Sequence, residues 1–163
     1  MRYVMKQKFF ALADDFAIKN EAGADVFFVR GKVFSVSNKL SFQDLQGNEL
    51  AFIQQKLLTW GPTYEISHNG EIVATVKKQM FTLFRYRFTI DVPGPDDLEA
   101  EGDFLGMEYT FTRGGRQAAQ VSKRFFTWTD TYGVDIAAGE NDVLILASTV
   151  VIEMASHRDT KQF

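Results

Sequence analysis

The run Tyr64-Glu65-Ile66-Ser67-His68-Asn69-Gly70-Glu71-Ile72-Val73-Ala74-Thr75-Val76-Lys77-Lys78 decides the fold. Apolar and polar side chains alternate on both sides of His68-Asn69-Gly70, the period that a half-buried strand requires. Asn and Gly tolerate the positive φ of a tight hairpin turn. Beyond the turn, Ile72, Ala74 and Val76 share one face. The segment is a β-hairpin, and it is not alone. A Gly, then Val or Ile six residues on, then Phe or Leu five further, then Ser or Thr, recurs along the chain. The copies are Gly23, Val29, Phe34, Ser35; Gly47, Ile53, Leu58, Thr59; Gly70, Val76, Phe81, Thr82; and Gly115, Val121, Phe126, Thr127. The last two also match Tyr64 with Tyr109, Ile66 with Phe111, Ala74 with Ala119, and Lys78 with Lys123. The wider gap before the fourth copy leaves room for a degenerate unit near Pro93-Gly94-Pro95. Short strands between regular turns predict a mainly β protein, a sandwich or a closed barrel.

The C-terminal segment breaks this rhythm. Asn141-Asp142 offers an N-cap, and the residues from Val143 to Met154 are apolar on nearly every side, which predicts a helix over about 142–156. An all-apolar helix must be buried all round, and a sheet closed around it is the natural container. Leu144, Leu146 and Val150 are the expected core side chains. Glu153, the one charge inside the run, should meet a basic or hydrogen-bonding partner at a barrel mouth, with Lys78 and Lys123 as candidates, because an unpaired buried carboxylate is costly. The run is shorter than the ~20 apolar residues a spanning helix needs, so it is not transmembrane.

The 163 residues are 45% hydrophobic, with 16 Phe, no Cys and 3 Pro. That composition fits one domain over 1–163 with a sizeable core and no linker. The lack of Cys excludes disulfides and thiolate chemistry and suits a reducing, cytoplasmic setting. Residues 1–8 lack the apolar core of a signal peptide. A net charge of −3 gives no global field that would draw in nucleic acid.

Several stretches resemble the LURP-one-related family, whose fold is that of the tubby C-terminal domain and the phospholipid scramblases. They are Lys6-Gln7-Lys8-Phe9-Phe10, Phe42-Gln43-Asp44-Leu45-Gln46-Gly47-Asn48-Glu49, Gly102-Asp103-Phe104 with Tyr109-Thr110-Phe111, and Ala119-Gln120-Val121-Ser122-Lys123-Arg124. Asp130-Thr131-Tyr132-Gly133-Val134-Asp135-Ile136 and Val150-Val151-Ile152-Glu153 complete the series. The resemblance covers essentially the whole chain. It implies a closed antiparallel barrel of roughly twelve strands threaded by the C-terminal helix. Glu153 stands where the family often has Asp.

Catalytic chemistry is not expected. There is no Gly-x-Ser-x-Gly motif, His68 falls in a hairpin turn, and His157 falls just after the helix, where it would be solvated or capping. The clustered His or Cys of a zinc site are missing, the glycines punctuate hairpins rather than phosphate loops, and no cofactor is expected. Asp130 and Asp135, near Glu140 and Asp142, are weak calcium candidates by comparison with the scramblase relatives. As strand-end and capping carboxylates they need no ion. Asp96, Asp97, Glu99, Glu101 and Asp103 belong to a solvated loop and strand edge.

The basic residues carry the functional expectation. Arg85 and Arg87 lie opposite the apolar Tyr86, Phe88 and Ile90 face, Lys77 and Lys78 end the preceding strand, and Lys123 and Arg124 end the fourth copy. Lys78 and Lys123 share parity with inward Val76 and Val121, which suits a barrel mouth where the stem is buried and the ammonium reaches water. The six make a candidate surface for anionic lipid headgroups. The expected function is a non-enzymatic binding module, peripheral at a membrane; the alternative is a cytosolic scaffold that binds a protein partner and no lipid.

Overall fold

The computed structural model describes residues 1–7, 15–31, 38–81, 86–125 and 130–159. Among these, twelve strands close into an antiparallel barrel in which each strand pairs with its sequence neighbours and β1 (Arg2–Lys6) pairs with β12 (Thr131–Ile136). The strands between are β2 (Phe16–Asn20), β3 (Asp25–Gly31), β4 (Lys39–Gln43), β5 (Glu49–Gln55), β6 (Thr63–His68) and β7 (Glu71–Met80). They continue through β8 (Tyr86–Asp91), β9 (Leu98–Asp103), β10 (Glu108–Arg113) and β11 (Arg116–Ser122), followed by a 3-10 turn over Lys123–Phe125. Closure leaves no sheet edge, so the acidic stretch of β9 faces solvent from a wall rather than an edge.

The repeated glycines make the hairpins that the sequence predicts. Asn69 and Gly70 have φ of 50° and 81°, the two positive values of a type I′ turn, and Gly114 and Gly115 repeat the pattern. The degenerate unit is the β8–β9 hairpin, which turns through Gly94. All of these turns, with those at Gly23 and Gly47, lie at one end of the barrel, the glycine end. The remaining strand connections gather at the other, the loop end. Four hairpins carry a register shift at matching places: Ile18/Lys19, Phe42/Gln43, Ile66/Ser67 and Phe111/Thr112. Such bulges sharpen the local twist, which helps a sheet curl shut.

The helix α1 (Asp142–Asp159) fills the barrel. Asn141 caps it, its Oδ1 accepting a hydrogen bond from the Leu144 amide. Leu146, Val150 and Glu153 are buried, while Leu144, at the glycine end, is only half-buried. The helix runs three residues beyond the expected end and carries His157 inside with it. His157 is therefore a buried helical residue rather than a solvated one, its Nδ1 lying 2.9 Å from the Glu153 carbonyl. Inward strand positions such as Ile53, Ile66, Val76, Ile90 and Val121 pack around α1. Ile72 shares the sequence parity of Ala74 and Val76, but the bulge at Ile66/Ser67 sets it opposite Ser67, so it leaves their face and is exposed while Val73 packs on the core. Outward positions on β7 to β9 are polar: Thr75, Lys77, Gln79, Arg87, Thr89, Glu99 and Glu101. A lipid-spanning barrel would carry an apolar band there. No described helix is long and apolar enough to cross a membrane.

Candidate functional site

Charge is sorted along the barrel axis. Among the described residues, Lys6, Arg30, Lys39, Lys56, Lys78, Arg87, Lys123 and Arg124 lie toward the loop end, against Asp15, Glu65, Glu101, Asp103, Glu108 and Asp130. At the glycine end the balance reverses: Glu21, Asp25, Asp44, Glu49 and Glu71 on the first hairpins, then Asp91, Asp96, Asp97, Asp135, Glu140 and Asp142, outnumber Arg2, Lys19, Arg113 and Arg116. Topology sets this pattern, because each end collects every second connection.

The expected cations divide into two groups. Lys77 and Arg87 face outward on the wall, and each meets carboxylates: Lys77 Nζ lies 2.9 Å from Asp91, and Arg87 lies 3.3 Å from Glu101 and 3.6 Å from Glu99. Cross-strand acids thus neutralise the wall patch that the sequence suggested. Arg85 lies outside the described residues. Lys78, only 7% exposed, buries its stem at the loop end with its ammonium 3.8 Å above the Tyr86 ring. Lys123 and Arg124 form the 3-10 turn at the same end. The Glu108 carboxylate fixes that turn by accepting hydrogen bonds from the Ser122 hydroxyl at 2.8 Å and the Lys123 amide at 3.0 Å. Arg124 is exposed. Asp130 and Asp135 do not come together. They stand at opposite ends of β12, about 16 Å apart at the rise of a strand, and Asp135 pairs with Arg2 at 3.3 Å. At that spacing one ion would not reach both carboxylates.

Inside the barrel, Glu153 accepts a 2.8 Å hydrogen bond from the Tyr132 hydroxyl, so a tyrosine supplies a hydrogen-bonding partner. Burial, and then the neighbouring Glu153 carboxylate, hold the phenols of Tyr109 and Tyr132 well above their ordinary pKa.

The loop end also carries features absent from the sequence expectations. Of the exposed large apolar side chains, Leu57, Leu58, Trp60, Met80, Phe81 and Leu105 all lie there. A cleft of about 880 Å³ opens beside them, lined by Phe81, Tyr86, Arg87, Glu101 and Phe104 among others. Arg87 covers Phe81 at 4.6 Å, and Tyr86 stacks on Phe104 at 5.2 Å. The available sequence signal was Leu57-Leu58-Thr59-Trp60 directly before Gly61-Pro62: large apolar residues inside a turn rather than a strand.

A closed antiparallel barrel around one buried helix defines the structural class. The LURP-one-related profile matches residues 1–153, and the chain belongs to that family. It is 34% identical over 155 residues to the uncharacterised protein YxjI of Bacillus subtilis (strain 168), covering 95% of this chain and 93% of that one. A protein from Arabidopsis thaliana solved by X-ray crystallography shares the fold with a TM-score of 0.68 at 15% identity, covering 96% of this chain and 92% of that one.

Proposed function

We propose that the protein is a non-enzymatic binding module that docks on anionic membrane surfaces through the loop end of its barrel. The observation that carries this is the coincidence of exposed cations and exposed apolar side chains at that end, where cations outnumber carboxylates, while carboxylates are in clear excess at the other. The net charge of −3 does not oppose it. The 18-residue helix that runs between the ends is about 27 Å long at 1.5 Å per residue, several times the ~8 Å screening length at physiological salt. A surface at the loop end therefore feels mainly the local charges, among which cations are in the majority, each cation contributing on the order of 1 kcal/mol near an anionic bilayer. The lumen, where a barrel would otherwise hold a small molecule, is occupied by α1, which favours surface binding over catalysis.

The test is co-sedimentation with phosphatidylserine-rich and with pure phosphatidylcholine vesicles. Binding to the first alone, weakening as salt rises and lost in Lys123→Glu/Arg124→Glu, supports the proposal. Indifference to both at low salt refutes it. The cleft beside Phe81 and Phe104 favours a second reading, a scaffold for a protein partner, which that negative result would leave in place.

A further inference from the structure

We infer that the β5–β6 loop is a preformed apolar wedge, with Leu57, Leu58 and Trp60 entering the interfacial layer of an anionic bilayer while the cations of the loop end hold its headgroups. The inference rests on the proposed docking and adds what charge alone cannot supply, a depth and an orientation.

Leu58 and Trp60 are fully exposed, with relative accessibilities of 105% and 104%, and Leu57 is half exposed at 53%. Scattered exposed apolar residues are ordinary on protein surfaces, but three within four positions of one loop tip are not. The loop is also held. Its neck is closed by the Lys56 amide bonding to the Thr63 carbonyl at 2.9 Å, and the Lys78 amide ties the Pro62 carbonyl to β7 at 3.1 Å. Thr59 Oγ1 donates to the Gly61 carbonyl within the tip at 3.0 Å. Leu58 adopts φ of 60°, a left-handed conformation that costs a residue with a branched side chain and is retained where surrounding structure enforces it. The result of that strain is a leucine aimed at solvent.

The composition suits a bilayer interface. Tryptophan favours the headgroup level and leucine the acyl boundary. Met80 and Phe81 at the end of β7 extend the same apolar rim. At the neck Lys56 pairs with Glu65 at 3.3 Å and Lys78 is nearly buried against Tyr86, so the headgroup contacts fall to exposed cations of the same end such as Lys6 and Arg124. Charge complementarity picks the occupant: an apolar tip at the barrel end where cations outnumber carboxylates matches anionic headgroups over hydrocarbon.

The experiment follows Trp60 fluorescence. The chain has two tryptophans, so Trp128→Phe isolates Trp60; should that variant not fold, the difference between wild type and Trp60→Phe reports the same signal. With phosphatidylserine-rich vesicles the expected results are a blue-shifted emission, protection from iodide, and quenching by lipids brominated on the acyl chain. Leu58→Ser/Trp60→Ser should keep the wild-type circular dichroism and bind roughly ten-fold more weakly or worse at physiological salt, on the scale of exposing two large apolar side chains. Sedimentation with Trp60 still open to iodide overturns the wedge and leaves electrostatic docking standing. No sedimentation at low salt overturns both. Insertion into phosphatidylcholine vesicles of equal strength supports the wedge and removes the electrostatic selection. A concentration-dependent blue shift without vesicles marks a protein interface instead and overturns the inference.

Discussion

The Tyr132 hydroxyl donates a 2.8 Å hydrogen bond to Glu153 inside the barrel, joining the last strand to the helix that fills it. Glu153 is 1% exposed, so each donor it has replaces lost water. Tyr132→Phe is expected to cost about 1–3 kcal/mol, the penalty for leaving a buried acceptor short of a donor. Denaturant unfolding of Tyr132→Phe, Glu153→Gln and the double variant should give non-additive losses. Strict additivity would mean that the two residues do not act together.

The same pair sets a pH dependence. Tyr109 and Tyr132 have folded pKa values raised well above the ordinary 10.0, by burial first and by the Glu153 charge second. The unfolded chain ionises these phenols near 10 and the folded chain does not. Their contribution is therefore fully present below pH 10 and is lost as pH climbs from there toward the folded values. Alkaline unfolding monitored by circular dichroism should start near pH 10, with phenolate absorbance rising in step. Ionisation of all the tyrosines while the barrel stays intact would contradict it.

Leu146 is fully enclosed on α1. Leu146→Ala should cost about 2–5 kcal/mol through lost burial and the cavity left behind, and Leu146→Asp should abolish cooperative folding. Amides of 145–152 should be among the slowest to exchange, since opening them means opening the barrel. Fast exchange in this segment would sink the central-helix picture.

Gly102 allows β9 and β10 to approach closely. A Cβ there would lie 2.6 Å from the Glu108 carbonyl and 2.7 Å from Tyr109 Cα, and the backbone sits at φ of 142°. Gly102→Ala should destabilise by roughly 1–3 kcal/mol, the scale of a strained backbone position. Alanine at Gly23, where a Cβ would touch nothing within 4 Å, is strained only through its φ of 81° and should cost less. Thermal melts of the two variants give the comparison.

Lys77 and Asp91 form an ion pair with both side chains nearly half exposed. Lys77→Gln is expected to change stability by less than about 1 kcal/mol and to leave vesicle sedimentation near wild type, whereas Lys123→Glu/Arg124→Glu should reduce it strongly. Equal losses from both would return the binding surface to the wall.

Much of this architecture was legible because turn chemistry and parity are local. Asn69-Gly70 and Gly114-Gly115 announce hairpins by themselves, and Val76 and Val121 follow at fixed distance on the inner face. The apolar run through Leu146 and Val150 announces its own burial. The recurring bulges were not legible, since Ile66/Ser67 alternates like any strand and the extra residue is defined only by its partner. The same limit hid the neutralising acids. Arg87 reads as a free cation until β9 brings Glu99 and Glu101 beside it. Leu58 and Phe81 occupy the same position of the repeat, yet both side chains are exposed because the position falls where strands end. Asp130 and Asp135 are five residues apart in the chain, and only an extended β12 shows how far that separates them.

Pairing β1 with β12 places Arg2 beside Asp135, 133 residues further on, and α1 follows every described strand. A ribosome therefore delivers the wall before its filling. Until α1 emerges, the inward residues of up to twelve strands have nothing to close around, and β1 waits with an unpaired edge until β12 has been made. Loop closure on that scale is slow, and nascent sheets with open edges invite aggregation. A premature stop before residue 142 would thus remove the piece around which the barrel settles, and cells making this protein have reason to shield the nascent chain until α1 arrives.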